Sequence, residues 1–332
     1  MKAAYLEATG GPEVIQYGEL PTPEPRAGEV RVRVIAASVN PIDTYIRAGL
    51  VKMDLPMPFV IGSDLAGVVD SVGSDVSRFK AGDRVWGTNQ GMLGRQGTFS
   101  EFACVQEEYL YPLPNGISDQ TAAAVALVGI TAHLGLVARA QVVAGETVFV
   151  NGGTGGVGSM VVQMAKALGA KVITTVGSPA KAALASSLGA DHVINYKTED
   201  IEKGVQQATD GKGVDVWYET LPPTDLDKTV SLMNTNGRIV LMAGRAARPV
   251  LPNGLFYVKG LSLLGFAMFN LGPVVQRQCV DDINKWLASG ELKPVIGEVF
   301  PLNEAAAAHR LQEENTLGKS GTLTGKIVLN VL

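Results

Sequence analysis

The strongest chemical signal in the chain is a glycine-rich run near its middle. An apolar stretch over residues 146–151 precedes this run and a helix-like stretch over 159–168 follows it, and the run reads Gly152-Gly153-Thr154-Gly155-Gly156-Val157-Gly158. A Gly-x-Gly-x-x-Gly turn between a strand and a helix is typical of dinucleotide binding. Gly153 would allow the tight turn, Gly155 would let the backbone approach the pyrophosphate, and Gly158 would let the helix pack closely on the strand. The alternative is a glycine-rich surface loop before a packed helix.

The end of the next predicted strand indicates which dinucleotide is bound. An Asp or Glu at that position accepts hydrogen bonds from the ribose 2′-hydroxyl of NAD. Here the strand over 171–176 is followed by Gly177, Ser178 and, after Pro179 and Ala180, Lys181, with no acid. A lysine attracts a 2′-phosphate, whereas a carboxylate would repel it. We therefore expect NADPH, with Lys181 as an ordinary solvated helix residue as the alternative.

The elements around these residues fall into three parts. Up to about residue 120, short β-like runs alternate with Gly and Pro turns, which indicates an irregular β-rich domain. From about 122 to 264, apolar strands alternate with helix-length segments, a pattern typical of a doubly wound parallel sheet. The six predicted strands cover residues 147–150, 171–176, 192–195, 214–218, 238–241 and 261–264.

The last part is too small to fold alone, with one helix predicted around 280–287 and an extended run over 326–329. We expect it to return to the first part. The predicted domains are therefore residues 1–122 with 265–332, and residues 123–264. A stretch over 121–138 is very apolar, but it contains His133 and several Gly and Thr residues, so we interpret it as a buried helix and not a membrane span.

Composition excludes several classes of protein. The 332 residues carry a net charge of −4, so no overall basic field attracts nucleic acid or anionic lipid. The two cysteines, Cys104 and Cys279, lie far apart, which favours a reducing compartment over a disulfide scaffold. The first residues have neither a signal-peptide nor a transit-peptide pattern. We expect a cytoplasmic protein that binds neither nucleic acid nor a membrane.

Segments along nearly the whole chain resemble the medium-chain dehydrogenase/reductase superfamily, and within it the zinc-independent quinone oxidoreductase, or zeta-crystallin-like, branch. The resemblance lies in residues 40–49, 62–69, 79–85, the glycine turn and 188–196, in family order. It implies an α/β fold: a GroES-like irregular β-rich catalytic domain and a doubly wound Rossmann cofactor domain.

Zinc-containing relatives carry a catalytic Cys where this chain has Asn40, and a His-Glu pair where it has Ser63-Asp64. The third ligand position falls near Val128, and the four-cysteine structural lobe has no counterpart in residues 86–103. Two cysteines and three histidines cannot assemble the usual zinc sites. We therefore expect no metal, and reduction of acceptors that need no Lewis acid.

The resemblance also places the active-site segment. Asn40 and Tyr45 are expected nearest the nicotinamide, where Asn40 orients the amide or the substrate carbonyl and Tyr45 donates a hydrogen bond or proton. Asp43 and Arg47 are expected to form an ion pair, with a structural role favoured. Many relatives have a Tyr two positions after the glycine of this segment, and Val51 stands there instead, so Tyr45 or water would supply the proton.

Further cofactor contacts follow from the same resemblance. In the family a lysine and a tyrosine that match Lys181 and Tyr196 hold the 2′-phosphate, and Lys319 takes the place of an arginine in the tail. Segments around residues 242–245 and 265–268 should run along the nicotinamide and its ribose, with Gly244, Phe266 and Met268 as the candidate contacts. The family also implies a homodimer, with residues 261–266 as the edge strand that pairs.

The leading hypothesis is an NADPH-dependent, zinc-independent reductase of quinones or related α,β-unsaturated carbonyls. One alternative is an alkenal or enone double-bond reductase, which differs in its product. Another, from a different class, is a non-catalytic NADPH-binding structural protein of the zeta-crystallin type. His133, His192 and His309 share no ligand or triad spacing and are interpreted as structural. Cys104 is expected to be an inert thiol.

Overall fold

A computed structural model of the chain describes residues 1–222 and 224–331. The chain divides into two compact units, of which the first combines Met1–Leu127, Gly272–Ala288 and Pro294–Leu332, and the second Val128–Leu271 and Ser289–Lys293. The divisions therefore differ from the expected boundaries at 122 and 265. Ser289–Lys293 joins the second unit because the backbone N–H and C=O of Lys293 both bond to the side chain of Gln163, at 2.8 and 3.1 Å.

The N-terminal part of the chain is rich in short strands. Its elements are β1 (Lys2–Leu6), β2 (Gln16–Glu19), β3 (Glu29–Val39), α1 (Pro41–Arg47), β4 (Phe59–Val60), β5 (Asp64–Val72), β6 (Arg84–Gly87), β7 (Phe102–Gln106) and β8 (Leu110–Pro112). Helix α2 (Asp119–His133) follows and continues as a π-helical turn, Leu134–Arg139.

Strands and helices then alternate as the sequence predicts. The elements are β9 (Thr147–Asn151), α3 (Gly156–Ala167), β10 (Lys171–Val176), α4 (Pro179–Ser187), β11 (His192–Asn195), α5 (Ile201–Ala208), β12 (Val214–Glu219), α6 (Leu226–Ser231), β13 (Met233–Leu241), α7 (Asn253–Val258) and β14 (Ser262–Gly265). The C-terminal part contains α8 (Pro273–Ser289), β15 (Ile296–Pro301), α9 (Ala305–Thr316) and β16 (Lys326–Asn330).

The first unit contains two sheets. One has three strands in the order β2-β1-β4, and the other has seven, in the order β15-β16-β3-β5-β6-β8 with β7 also paired to β3. Along β3, Val30, Val32 and Val34 are fully buried and pack in one apolar cluster of this unit. Strand β16 is antiparallel to β3, with Ile327 opposite Val39, so the C-terminal strand reaches the beginning of α1.

The second unit contains a six-stranded parallel sheet in the order β11-β10-β9-β12-β13-β14. This confirms the doubly wound fold. The strand order reverses between β9 and β12, which is where such sheets bind ligands at the carboxyl ends of their strands. On the central strands, the rings of Phe149 and Trp217 stack with centroids 3.8 Å apart inside the buried cluster of this unit.

Helix α2 with its π-helical turn, Asp119–Arg139, has the length and hydropathy to cross a membrane, but 78% of its most apolar window is buried. Core helices of globular proteins have the same composition. The turn lies against β12, since a Cβ atom on Gly135 would come within 2.2 Å of the Tyr218 hydroxyl. That hydroxyl donates a 2.9 Å hydrogen bond to the carbonyl oxygen of Thr131.

Candidate functional site

The glycine turn lies at the carboxyl end of β9 and leads directly into α3. The residue with left-handed backbone geometry is Gly152, with a φ of 84°, and not Gly153 as the motif suggested. Gly155 is the residue before the helix, and its N–H donates to the Gly152 carbonyl oxygen at 3.1 Å. The first amides of the 12-residue α3 therefore point out of the turn, as an anion site requires.

The three motif glycines differ in what surrounds them. A Cβ atom on Gly153 would lie 2.0 Å from the Thr174 hydroxyl, and one on Gly158 would lie 2.1 Å from the Gly152 carbonyl oxygen. These two positions are closed by the protein itself. At Gly155 the nearest atom would be 3.5 Å away, and this residue is exposed. Gly155 thus leaves open the space that a dinucleotide phosphate would fill.

A hydrogen-bond network that the sequence did not reveal holds this turn in place. The Glu219 carboxylate at the end of β12 accepts from the Asn151 amide, the Trp217 indole and the Leu221 backbone, at 2.8, 3.2 and 2.9 Å. The Thr175 hydroxyl donates to the Asn151 oxygen at 2.6 Å and accepts from the Gly152 N–H at 2.9 Å. The network thus joins β12, β9 and β10 at the reversal point.

The end of β10 carries no carboxylate between residues 177 and 190. Ser178 begins α4 and its hydroxyl accepts the Lys181 backbone N–H at 3.3 Å. Tyr196 is 48% exposed, and its hydroxyl lies close to Gly177, where a Cβ atom would be 2.4 Å away. Burial, and the charge of Lys197, lower the pKa of Lys181. The effect of Lys197 indicates that its ammonium and that of Lys181 lie on the same edge of the sheet.

The remaining cofactor candidates divide between the two units. Gly244, with a φ of 78°, follows β13, while Phe266 and the buried Met268 follow β14. These residues share the carboxyl edge of the parallel sheet with the glycine turn. Lys319 belongs to the first unit, where it is exposed and has a φ of 54°. Its expected cofactor contact stays a prediction.

In the first unit, the start of α1 is built into a buried polar cluster. The Asp43 carboxylate accepts from the Asn40 backbone N–H at 2.8 Å and from the Ser63 hydroxyl at 2.6 Å. The Asp64 carboxylate accepts from the Asn40 side-chain amide and the Ser38 hydroxyl, each at 2.8 Å. Burial is the largest of the effects that raise the pKa of Asp43 to about 7. This carboxyl group therefore titrates near neutrality.

The expected ion pair between Asp43 and Arg47 is wrong. Within the described residues, Arg47 instead pairs with Glu313 of α9, because α9 packs on α1 and brings the carboxylate to this fully buried guanidinium. His309 lies on the same helix, and burial and the Arg47 charge lower its pKa to about 3. His309 is a neutral core residue in edge contact with the Phe99 ring.

Tyr45 differs from the other three active-site candidates in its exposure. Asn40, Asp43 and Arg47 are buried, whereas Tyr45 is only partly buried on α1. Val51, at the position where many relatives have a tyrosine, packs against the apolar cluster of the first unit. Tyr45 is therefore the most accessible of the four candidates in this segment.

Two segments of the chain match two protein families. Residues 26–115 match the alcohol dehydrogenase GroES-like domain, and residues 156–288 match the zinc-binding dehydrogenase family. Human quinone oxidoreductase is 33% identical over 330 residues, which cover 99% of this chain and 97% of that protein. The chain therefore belongs to the quinone oxidoreductase branch of the medium-chain dehydrogenase/reductase superfamily.

Solved structures agree with this assignment. The Escherichia coli quinone oxidoreductase complexed with NADPH has a TM-score of 0.88 and 30% identity, with both chains covered fully. A protein described as an NAD-dependent alcohol dehydrogenase has a TM-score of 0.89 and 34% identity over the same coverage. These neighbours use different dinucleotides, so the residues at the end of β10 decide which one suits this chain.

The matched family is described as zinc-binding, but the side chains at the ligand positions of this chain do not suit zinc. In residues 1–222 and 224–331, no three His, Cys, Asp or Glu side chains come together as a metal site. Asn40 and Ser63 bring an amide and a hydroxyl where a soft or imidazole donor is needed. Asp64 is the remaining carboxylate, and its oxygens are occupied by protein donors, with the Thr88 hydroxyl at 2.7 Å among them.

Proposed function

We propose that the protein is an NADPH-dependent, zinc-independent oxidoreductase that transfers hydride to quinones or related activated α,β-unsaturated carbonyls. The observation that carries this proposal is the edge of the parallel sheet where β9 and β10 end. An open glycine turn leads into α3 there, and the neighbouring strand is followed by Ser178 and Lys181 at the start of α4, with no carboxylate.

The choice of NADPH rests on charge. Lys181 and Lys197 are close enough for the second to affect the first, and a 2′-phosphate would relieve that repulsion. The half-exposed Tyr196 hydroxyl offers a further donor on the same edge. NADH is the competitor, because it lacks the phosphate but shares the pyrophosphate that the glycine turn accepts.

When bound, NADPH supplies the hydride, and the protein has to position the acceptor and stabilise the charge that develops on its oxygen. Tyr45 is partly exposed, so we assign it the hydrogen bond or proton to that oxygen. The buried Asn40 side chain sits at the start of the same helix, and we assign it the role of orienting this segment through its hydrogen bond to Asp64. Asp43 and Arg47 hold the segment through Ser63 and Glu313.

Zinc independence rests on the side chains at the positions of the family's ligands. Asn40, Ser63 and Asp64 are bound to one another and to neighbouring groups by hydrogen bonds. An electron-poor alkene or quinone can accept hydride without a Lewis acid, whereas a zinc ion serves alcohol oxidation by stabilising the alkoxide. Elemental analysis of active enzyme should find less than a stoichiometric amount of zinc, and activity that requires added zinc would contradict this part of the proposal.

Product analysis distinguishes the reduction of quinones from the reduction of an enone double bond. The enzyme should be supplied with NADPH and either 9,10-phenanthrenequinone or an unsaturated ketone, under argon, and the products identified by mass spectrometry. A hydroquinone or semiquinone supports quinone reduction, and a saturated ketone supports the double-bond alternative. Tight NADPH binding without oxidation by any acceptor would support the non-catalytic alternative and contradict the enzyme.

The assembly is a separate part of the proposal. Strand β14 is the edge of the parallel sheet, and Leu263 on it and Tyr257 and Val258 just before it are 41%, 69% and 69% exposed. Because an open apolar edge pairs readily with another edge, we propose a cytoplasmic homodimer that joins through β14. Light scattering should give twice the chain mass, and Leu263→Lys should shift it toward the monomer; a monomeric wild type would contradict the dimer.

A further inference from the structure

A buried lysine that the sequence analysis did not single out lies beside Asn40. Lys326 is the first residue of β16 and is 4% exposed. Its ammonium donates to the Val39 carbonyl oxygen at 2.7 Å and to the side-chain oxygen of Asn40. The antiparallel pairing of β16 with β3 brings it there across 286 residues of sequence. A charged group at such a site needs a partner of opposite charge.

Asp64 is that partner. Its carboxylate lies 4.0 Å from the Lys326 nitrogen and accepts hydrogen bonds from Ser38, Asn40 and Thr88. Burial raises the pKa of Asp64, and the Lys326 charge and these three donors oppose that rise. Both side chains are buried and lie within ion-pair distance of each other, so Asp64 and Lys326 form a buried ion pair.

The pair fixes the orientation of the Asn40 amide. An ammonium only donates, so the Asn40 atom beside Lys326 has to be the oxygen. A carboxylate only accepts, so the atom beside Asp64 has to be the nitrogen. One of the two N–H groups on that nitrogen is used by Asp64, and the other has no acceptor among the described residues. A reversed amide would face both charges with the wrong atom.

The position of this ammonium is informative. Asn40 and Asp64 are bonded directly to each other, and the Lys326 ammonium lies beside both of them. The positive charge at this site is thus carried by a side chain of the protein. It neutralises Asp64 and also acts on Asp43, whose pKa it lowers against the effect of burial.

We propose that Lys326 is a positioning residue for the reduction: together with Asp64, its ammonium holds the buried Asn40 side chain and thereby fixes the start of α1, the helix that carries the partly exposed Tyr45. This inference rests on the proposed reductase function. It explains how the chain holds Tyr45 in position to stabilise negative charge on the oxygen of the acceptor.

Two variants test the proposal. Lys326→Met removes the charge at similar length, and we expect kcat with a quinone to fall about 10- to 100-fold, less than the loss of a direct oxyanion donor. The apparent KM for NADPH should stay within about twofold, since the change is local to the first unit. Lys326→Met leaves Asp64 buried without its partner and lowers stability. Adding Asp64→Asn removes that charge and should restore the unfolding midpoint.

The double variant separates positioning from stability. Asn at position 64 both donates and accepts, so it no longer fixes the Asn40 amide, and kcat should remain low although the fold recovers. The matched control is Lys259→Met in the second unit, which removes three hydrogen bonds to the carbonyl oxygens of Val230, Ser231 and Met233. It should lower stability and leave kcat unchanged.

A Lys326→Met enzyme with the kcat of the wild type would overturn the proposal, and so would a double variant in which kcat recovers together with stability. If Lys326→Met does not fold, the double variant alone decides. If the wild type shows no turnover with any quinone or enone, the reductase function fails and this inference falls with it. Normal wild-type turnover with unaffected variants overturns only the role of Lys326.

Discussion

The side-chain amide of Asn151 donates a 2.8 Å hydrogen bond to the Glu219 carboxylate, and this contact joins β9 to β12 at the point where the strand order of the parallel sheet reverses. The glycine turn begins at the residue after Asn151. Its first N–H, on Gly152, is held through the Thr175 hydroxyl, which also donates to Asn151. The carboxylate at the end of β12 therefore positions the turn through two intervening side chains.

Glu219→Ala should loosen the turn. It removes three hydrogen bonds to a buried carboxylate, so we expect a loss of about 3 kcal/mol in the free energy of unfolding and an increase of roughly tenfold in the NADPH Kd. Urea unfolding and fluorescence titration measure the two effects. As a control, Asp200→Ala removes the exposed cap of α5 and should lower stability slightly with an unchanged Kd. Equal Kd values for both variants would contradict this role of Glu219.

Alanine substitutions in the turn should have two different outcomes. Gly153→Ala and Gly158→Ala place a methyl group 2.0 and 2.1 Å from protein atoms, so both should lower the melting temperature. Gly155→Ala meets nothing closer than 3.5 Å, and its φ of −77° suits alanine. This variant should be stable without cofactor and should bind NADPH more weakly. Thermal-shift measurements with and without cofactor would show both effects. A destabilised Gly155→Ala protein that binds NADPH normally would argue against the phosphate site.

The dinucleotide preference should depend on Lys181. Because a lysine bound to phosphate contributes about 1.5 to 3 kcal/mol, Lys181→Ala should raise the NADPH Kd roughly 10- to 100-fold and leave the NADH Kd unchanged. Lys166→Ala is the control, since Lys166 pairs with Asp191 at 2.8 Å and should affect neither. A parallel loss of NADPH and NADH affinity in Lys181→Ala would show that this lysine does not read the 2′-phosphate.

Asp43 should give stability a specific dependence on pH. Its pKa in the folded protein is about 7, against an ordinary value of 3.8, so the folded state binds the proton more tightly. The contribution of the neutral acid is fully present below pH 3.8 and is lost as the pH rises through 7. Asp43→Asn keeps a neutral side chain, so its advantage over the wild type should grow between these values, by at most about 1.4 kcal/mol per pH unit.

Urea unfolding of both proteins at several pH values measures this difference. The groups that act on Asp43 are Asp64, which raises its pKa, and Lys326, which lowers it. His309 acts in the opposite direction, since its pKa of about 3 makes the fold lose stability as the pH falls below 6.5. Comparing the two proteins cancels that effect. A difference that is constant with pH would show that Asp43 stays ionised throughout.

The sheet of the second unit was predictable because its strands are short apolar runs that Gly and Pro separate from helices. The predicted strands over 171–176 and 192–195 coincide with β10 and β11. The C-terminal part was predicted less completely, and β15 (Ile296–Pro301) was missed. The helix over 280–287 extends in fact over Pro273–Ser289, and α9 was not predicted although Ala305–Ala308 are strong helix formers.

The polar cluster around Asn40 could not be predicted from the sequence, and the reason is physical. The spacing of Asp43 and Arg47 suits an ion pair on one helix, but Asp43 bonds back to Asn40 at the helix start. Arg47 binds Glu313, which is 266 residues away along the chain. Lys326 begins an apolar strand, and in the sequence it has the pattern of an exposed strand end. Only tertiary packing shows which charges meet.

The most direct test of the account is the initial rate of NADPH oxidation by 9,10-phenanthrenequinone, measured beside NADH with enzyme dialysed against EDTA. We predict EDTA-resistant turnover that is faster with NADPH than with NADH at low cofactor concentration. Equal rates with both cofactors would contradict the NADPH assignment, and activity lost in EDTA and restored by zinc would contradict the metal-free mechanism.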